Sequence, residues 1–485
     1  MLAARVLMDY SLLIRRDGTA NVLAAEGDAG SDSAAVGDGT KKWSDPMSNT
    51  DVFALNLCVI LIIGLVTYLF SEKTQISIVP VLILLGIAAG PVLNIVDRPI
   101  AHQLFNYARV FGLVIILFAE GHNLKWEVLR KHLGLIGVLD TAALLITAAL
   151  SAVAFSLLFH LPPVVGFLFG AIISATDPAT LIPLFKRNHV DEEVRTIIVT
   201  ESIFNDPLGI VLTAVAIAFV APHAPSAHFV EAVAQVTTIY PAAVIFFLYE
   251  VGISIALGIA LGFFGYWIIN ALHLTSFSEQ FSLVLALGGF AIGEVVQGSG
   301  FLVATVMGIV LGNHEYFFKR TGKVKSHTVD VVATELHFNE ILAEFSTVFI
   351  FTLLGASLSL DALGNMNWIW LSLILAGLII FVIRPIASLT ILPYEHISWG
   401  KFLFISLEGP RGVVPSALAS LPLTLGIQYH NVQLQNWGEV ILTATVVTIF
   451  ASVTLEPLWV GPLNRWLLQP KAHREGSRRR GVSIE

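Results

Sequence analysis

The stretch Thr200-Glu201-Ser202-Ile203-Phe204-Asn205-Asp206-Pro207-Leu208-Gly209 puts two carboxylates, an amide and two hydroxyls at the head of an apolar run that continues to Val220. A charge at the centre of a bilayer costs roughly 2.5–3.5 kcal/mol even on the lenient insertion scale, so residues kept there usually mark an ion or proton pathway. On a helix Ser202, Asn205 and Asp206 fall at i, i+3 and i+4 and share a face, with Glu201 one column over. Oxygen atoms suit a hard monovalent cation. Asp206 is the carboxylate on that face. The Ser202 hydroxyl, Thr176 from the preceding span, water and freed backbone carbonyls are its candidate companions. Asn205 is better suited to an interhelical hydrogen bond than to direct ion contact. Glu201 lies off that face and needs a countercharge, because an unpaired buried ion is costly. Arg384, in FVIRPIASL, is the intramembrane arginine best able to supply it. Plainer roles stay open: a helix N-terminal turn for Glu201 and Asp206, a bond from Ser202 to its own i−4 carbonyl, and packing for Thr176.

These residues need membrane helices to hold them. Hydrophobic residues make up 55% of the 485 positions and charged residues 13%. This composition excludes an ordinary soluble domain and points to an all-α, polytopic membrane protein. Apolar runs able to span ~30 Å recur thirteen times, at about 52–70, 76–96, 105–120, 134–159, 163–186, 193–220, 241–270, 279–297, 300–312, 338–359, 367–392, 401–424 and 437–461. Residues 223–238 and 313–337 read as polar connectors, the second amphipathic.

Two of the runs are interrupted. The fifth carries Thr176-Asp177-Pro178 and the twelfth Glu408-Gly409-Pro410-Arg411-Gly412. Proline removes a helical donor and clashes with the preceding turn, so the ladder breaks near each. Either break alone is readily a kink tolerated in a bundle. Two of them, each next to last in a half, predict a six–one–six inverted repeat with its binding site at the breaks. Half-helices ending in mid-membrane expose partial charges, positive at N-termini and negative at C-termini. Asp177 is placed to meet a positive end and Arg411 to offset a negative one.

Basic residues set the orientation. With the loop after the first span inside, the cytoplasmic side holds Lys73, Lys125, Arg130, Lys131, Lys186, Arg187, Arg195, the basic residues of 319–325, Lys401 and the tail, while the opposite loops hold Arg98. The C-terminus is therefore expected in the cytoplasm. Residues 1–50 read as a flexible tail, or the chain starts at a later methionine such as Met47. Residues 51–462 read as the membrane domain and 463–485 as a short basic tail. The one cysteine, Cys58, suggests no thiol site, and the scattered histidines suggest no metal set. No cofactor and no nucleic-acid partner is expected.

ATDPA, ESIFNDPLGIV and GPRGVV, in this order, resemble the monovalent cation:proton antiporter family, in its Asn-Asp, NhaP-like sodium/proton exchanger branch. The resemblance spans about 52–462 and extends to GSGFLVATVMGIVLGN and FGLVIILFAEGHNL. It implies that Asp206 carries the cation and the proton in turn, that Thr176 and Ser202 ligate the cation, and that Glu201 pairs with the arginine at 384. It further implies a homodimer, with a core around 134–220 and 338–424 sliding against a dimerisation scaffold made by the remainder. The run Phe118-Ala119-Glu120-Gly121-His122-Asn123 departs from the family's usual pair of glycines, and Glu408 and Pro410 occur in part of the family. With no large domain after 462, nucleotide-gated control is not expected.

The expected chemistry is competition: one dehydrated carboxylate holds a proton or a cation, not both. One titrating carboxylate, with an amide at 205, favours one-for-one electroneutral exchange. Sodium is the leading cation, with lithium and potassium open, and the plasma or inner membrane is the expected location. The rivals are a potassium/proton antiporter and a channel-like potassium efflux system, although a channel favours repeated carbonyl or acidic rings. An intramembrane hydrolase lacks a nucleophile–base set.

Overall fold

The computed structural model describes residues 49–74, 76–177, 181–221, 223–272, 277–318, 326–393 and 397–468. The N-terminal tail and start site, the basic tail beyond Leu468, and Pro178 lie outside the described residues. Among the described residues all regular structure is helical. The elements are α1 (Asn49–Thr74), α2 (Ile78–Ile87), α3 (Arg98–Asn123), α4 (Trp126–Val138), α5 (Leu144–Phe159), α6 (Pro163–Ser174), α7 (Ile182–Arg187) and α8 (Glu192–Val220). They continue with α9 (Pro225–Ala234), α10 (Ile239–Leu272), α11 (Ser278–Val295), α12 (Gly300–Gly312), α13 (His314–Phe318) and α14 (Ser326–Ala356). The chain ends with α15 (Leu360–Gly364), α16 (Met366–Leu378), α17 (Arg384–Ser388), α18 (Trp399–Leu407), α19 (Val413–Leu418), α20 (Leu421–Gln428) and α21 (Val432–Leu463).

Every apolar run read from the sequence falls on a helix or on an interrupted pair of helices. Among the described residues eight helices are long and apolar enough to cross a membrane, and Ile78–Val92, Pro163–Ser174, Gly300–Gly312 and Val413–Gln428 are shorter apolar segments. Three local expectations differ. The connector at 223–238 forms α9. The connector at 313–337 is largely helical, because α14 starts at Ser326 and runs unbroken into the next apolar run. The short run at 105–120 belongs to a longer helix whose first turns, from Arg98, are polar.

Burial divides the helices. The most apolar windows of α8 and α21 are 72% buried, whereas those of α1 and α10 are 22% buried. The outer helices turn leucine, isoleucine, phenylalanine and tryptophan outward, a surface that suits lipid tails. Local signals start the central helices. The Asp191 carboxylate accepts the N–H groups of Glu193 and Val194 at 3.1 and 3.2 Å, with Glu192 and Glu193 complementing the dipole of α8. The Asn431 side chain accepts from the Leu434 N–H at 3.0 Å at the start of α21.

Two π turns, Leu139–Ala143 after α4 and Ile379–Ile383 after α16, lie in the spans that precede the two broken ones. One carries Asp140 and the other leads directly into Arg384. Such turns recur at functional positions.

The breaks meet. The first separates α6 from α7 and the second α18 from α19. The Asp177 N–H donates to the Pro410 carbonyl at 2.7 Å, and the Val413 N–H donates to Asp177 Oδ2 at 3.2 Å. Gly412 makes this approach possible. A Cβ there would lie 2.0 Å from Asp177 Oδ2 and 2.1 Å from its Cβ, so space, not backbone sign, selects glycine. Gly412→Ala is expected to lower the stability of the purified protein by roughly 1–3 kcal/mol, the usual cost of overpacking, and to abolish transport. A thermal melt in detergent and transport in reconstituted vesicles check it; a parent-like melt with parent-like transport would show the approach to be loose.

Candidate ion-binding site

Asp191 caps α8, and at 1.5 Å per residue Ser202 lies about 17 Å along the axis from it. Thr200, Glu201, Ser202, Asn205 and Asp206 are all buried. They face the end of α6, where the chain leaves the helix at Ala175 with extended backbone angles. There Asn205 clasps Thr176 from both sides: its Oδ1 accepts the Thr176 N–H at 3.1 Å and its Nδ2 donates to Thr176 Oγ1 at 2.7 Å. Ser202 donates its hydroxyl to the Thr176 carbonyl, not to its own i−4 carbonyl. Thr176, Ser202 and Asn205 are thus one hydrogen-bonded unit across the two helices.

Asp206 stands beside this unit. Its Oδ1 is buried and accepts no hydrogen bond among the described residues. Pro207, inside α8, has no N–H, so the Ile203 carbonyl lacks its helical donor. Of the candidate oxygen donors, Ser202 and Thr176 are hydrogen-bonded to each other at the junction of α8 with the first break, and Asp206 lies one turn along α8 from Ser202.

Arg384 and Glu201 are 183 positions apart in sequence and meet as a two-pronged pair. Nη1 donates to Oε1 and Nη2 to Oε2, each at 2.7 Å, with side-chain exposures of 6% and 1%. The planar guanidinium matches the carboxylate fork, which lysine could not do. Arg411 and Asp177 each engage the opposite break. Arg411 Nη1 donates to the Ser174 and Ala175 carbonyls at 2.9 and 3.2 Å, the negative end of α6. Asp177 holds the first N–H of Val413–Gln428, the positive end.

Sequence reasoning missed several neighbours. Asp140, buried on the first π turn, lies in the electrostatic range of Glu201 and Arg384. Asp140, Glu120 and Asp177 all lie in that of Asp206. Glu120 Oε2 is buried without a partner among the described residues. Both Asp140 and Glu120 are carboxylates inside apolar runs, the same signal that singled out Glu201 and Asp206. Arg109, three turns into α3, is partly buried.

Comparison with known proteins agrees with this architecture. The family model described as "Sodium/hydrogen exchanger, transmembrane" matches residues 58–466. The chain is 32% identical over 452 residues to the probable Na(+)/H(+) antiporter 2 of Methanocaldococcus jannaschii, covering 85% of this chain and 99% of that protein. It is 26% identical to the K(+)/H(+) antiporter NhaP of Alkalimonas amylolytica, over 85% of this chain and 67% of that one. The structure is similar to that of the sodium proton antiporter MjNhaP1 from Methanocaldococcus jannaschii at pH 8, with a TM-score of 0.73, 31% identity, and coverage of 86% and 99% of the two chains. With its buried carboxylates, paired breaks and helical bundle, the chain belongs to the sodium/hydrogen exchanger family of monovalent cation:proton antiporters, which are multi-pass membrane transporters and not enzymes.

Proposed function

We propose that this protein exchanges sodium for protons one for one, with Asp206 as the carrier of each in turn. The observation that carries the reading is the buried, unpartnered Oδ1 of Asp206 beside the Thr176–Ser202–Asn205 unit. A carboxylate there without a donor needs a proton or a cation, since a bare buried charge is costly. Thr176 and Ser202 supply further oxygens to the cation, and Asn205 holds Thr176 in place. Glu201 and Arg384 neutralise each other and leave Asp206 to titrate. Asp177 and Arg411 compensate the ends of the broken helices.

The wider reading is a six–one–six inverted repeat of thirteen crossings, supported by the π turns and breaks at corresponding places in the two halves. The core comprises 134–220 and 338–424, and moves against the remainder to expose Asp206 alternately on each side. We place the protein in the plasma or inner membrane as a homodimer with a cytoplasmic C-terminus, in keeping with the basic loops. Potassium/proton exchange is the second reading, favoured by the similarity to the Alkalimonas protein. A channel-like efflux system differs from both in rate.

In proteoliposomes holding a pH gradient, sodium should collapse the gradient and potassium should not; potassium alone doing so would establish the second reading. Because protons compete for Asp206, the cation concentration for half-maximal exchange should rise as pH falls. A current that grows with the cation gradient would refute electroneutrality. Asp206→Asn should abolish exchange in a folded protein, and activity at the parent level would remove Asp206 from the mechanism. Arg384→Ala, which leaves Glu201 buried and unpaired, should cost about 3–5 kcal/mol in a detergent melt, with Arg384→Lys milder; an unchanged melt would show the pair to be dispensable.

A further inference from the structure

The second break has a support on the side away from Asp177. Glu456 and Ser452, one turn apart on α21, are both buried. The Gly409 N–H donates to Glu456 Oε2 at 2.8 Å, and the Arg411 N–H donates to Ser452 Oγ at 3.1 Å. These two donors lie just past the end of α18 and have no helical acceptor, so in an apolar bundle their satisfaction must come from side chains. On its other side Gly409 packs against Arg384: a Cβ at 409 would lie 2.9 Å from Arg384 Nε. The interrupted backbone is thus held between the Arg384 guanidinium and the α21 carboxylate. The charged groups facing Glu456 are Glu408, Arg384 and Arg411. Glu408 is wholly buried, and neither of its oxygens is hydrogen-bonded among the described residues.

We propose that Glu456, assisted by Ser452, is a positioning residue for ion exchange: it fixes the backbone of 409–411 and thereby holds Arg411 on the α6 carbonyls and Arg384 in register with Glu201. This inference rests on the proposed exchange at Asp206 and adds a device that acts on it through the two arginines. A carboxylate suits the position twice over, because it accepts the Gly409 N–H and supplies an anion to two buried cations.

The test compares Glu456→Ala with Glu456→Gln in the full-length protein, since Gln keeps the acceptor and the shape. Amide hydrogen exchange of 404–414, read by mass spectrometry in detergent, should be at least tenfold faster in Glu456→Ala and close to the parent in Glu456→Gln. Exchange of 113–119 in α3 should be unchanged and so report an intact fold. In vesicles, Glu456→Ala should raise the cation concentration for half-maximal exchange tenfold or more and displace the pH profile, whereas a purely structural loss would lower only the maximal rate. Parent-like amide exchange in Glu456→Ala, or Gln no better than Ala, would overturn the proposal. Should Glu456→Ala fail to fold, Ser452→Ala takes its place, with faster exchange of the Arg411 amide expected and an unchanged rate overturning it. If the parent protein exchanges no cation, the functional reading falls, and amide exchange alone decides whether the clamp exists.

Discussion

A helix that stops inside a membrane leaves donors or acceptors with no water to satisfy them, and each end carries a partial charge. This chain stops two helices at one place and lets each answer the other. Arg411, from the second break, covers the carbonyls that end α6. Asp177, from the first, accepts the leading N–H of Val413–Gln428. A backbone bond from Asp177 to Pro410 ties them. Neither break is sustainable without the other, so the paired interruption is the constraint from which the rest of the site follows.

One consequence is where the remaining charges can stand. With both helix ends compensated, Glu201 is free to take Arg384 in a closed pair, and Asp206 is left beside the Thr176 clasp with an oxygen that no donor among the described residues reaches. Two carboxylates five residues apart on one helix thus have opposite surroundings. The first is neutralised for good. The second is the group that the proposed exchange uses, in a place where a bare charge is unfavourable. Exchange chemistry requires this separation, because a carboxylate already paired to an arginine has no reason to release a proton for a cation.

The surrounding bundle is most deeply buried where the breaks lie. α8 and α21 are the most deeply buried long helices, and they flank the breaks from two sides. One presents Ser202, Asn205 and Asp206; the other presents Ser452 and Glu456. α1 and α10 lie outside with apolar faces. The overall fold is similar to that of MjNhaP1 over nearly the whole length of that chain.

Much of this was legible in the residues. A carboxylate or an arginine inside an apolar run is costly enough to draw attention, and two matched X-Pro breaks point to the same place, which is why Asp206, Glu201, Thr176, Arg384 and the two breaks could be named and partly paired. Helical spacing put Ser202, Asn205 and Asp206 on one face because that relation is local. What the chain could not reveal alone depends on contacts across sequence. Asp140 and Glu120 carry the same signal as Glu201, but only packing brings them toward Asp206. Gly412 reads as a plain breaker until Asp177 is found occupying the space of its missing side chain. Glu456 is one more carboxylate inside an apolar run, and only the tertiary structure puts it and Ser452 against the open N–H groups of Gly409 and Arg411. Spacing along a helix fixes which residues share a face; the packing of one helix on another fixes what that face meets.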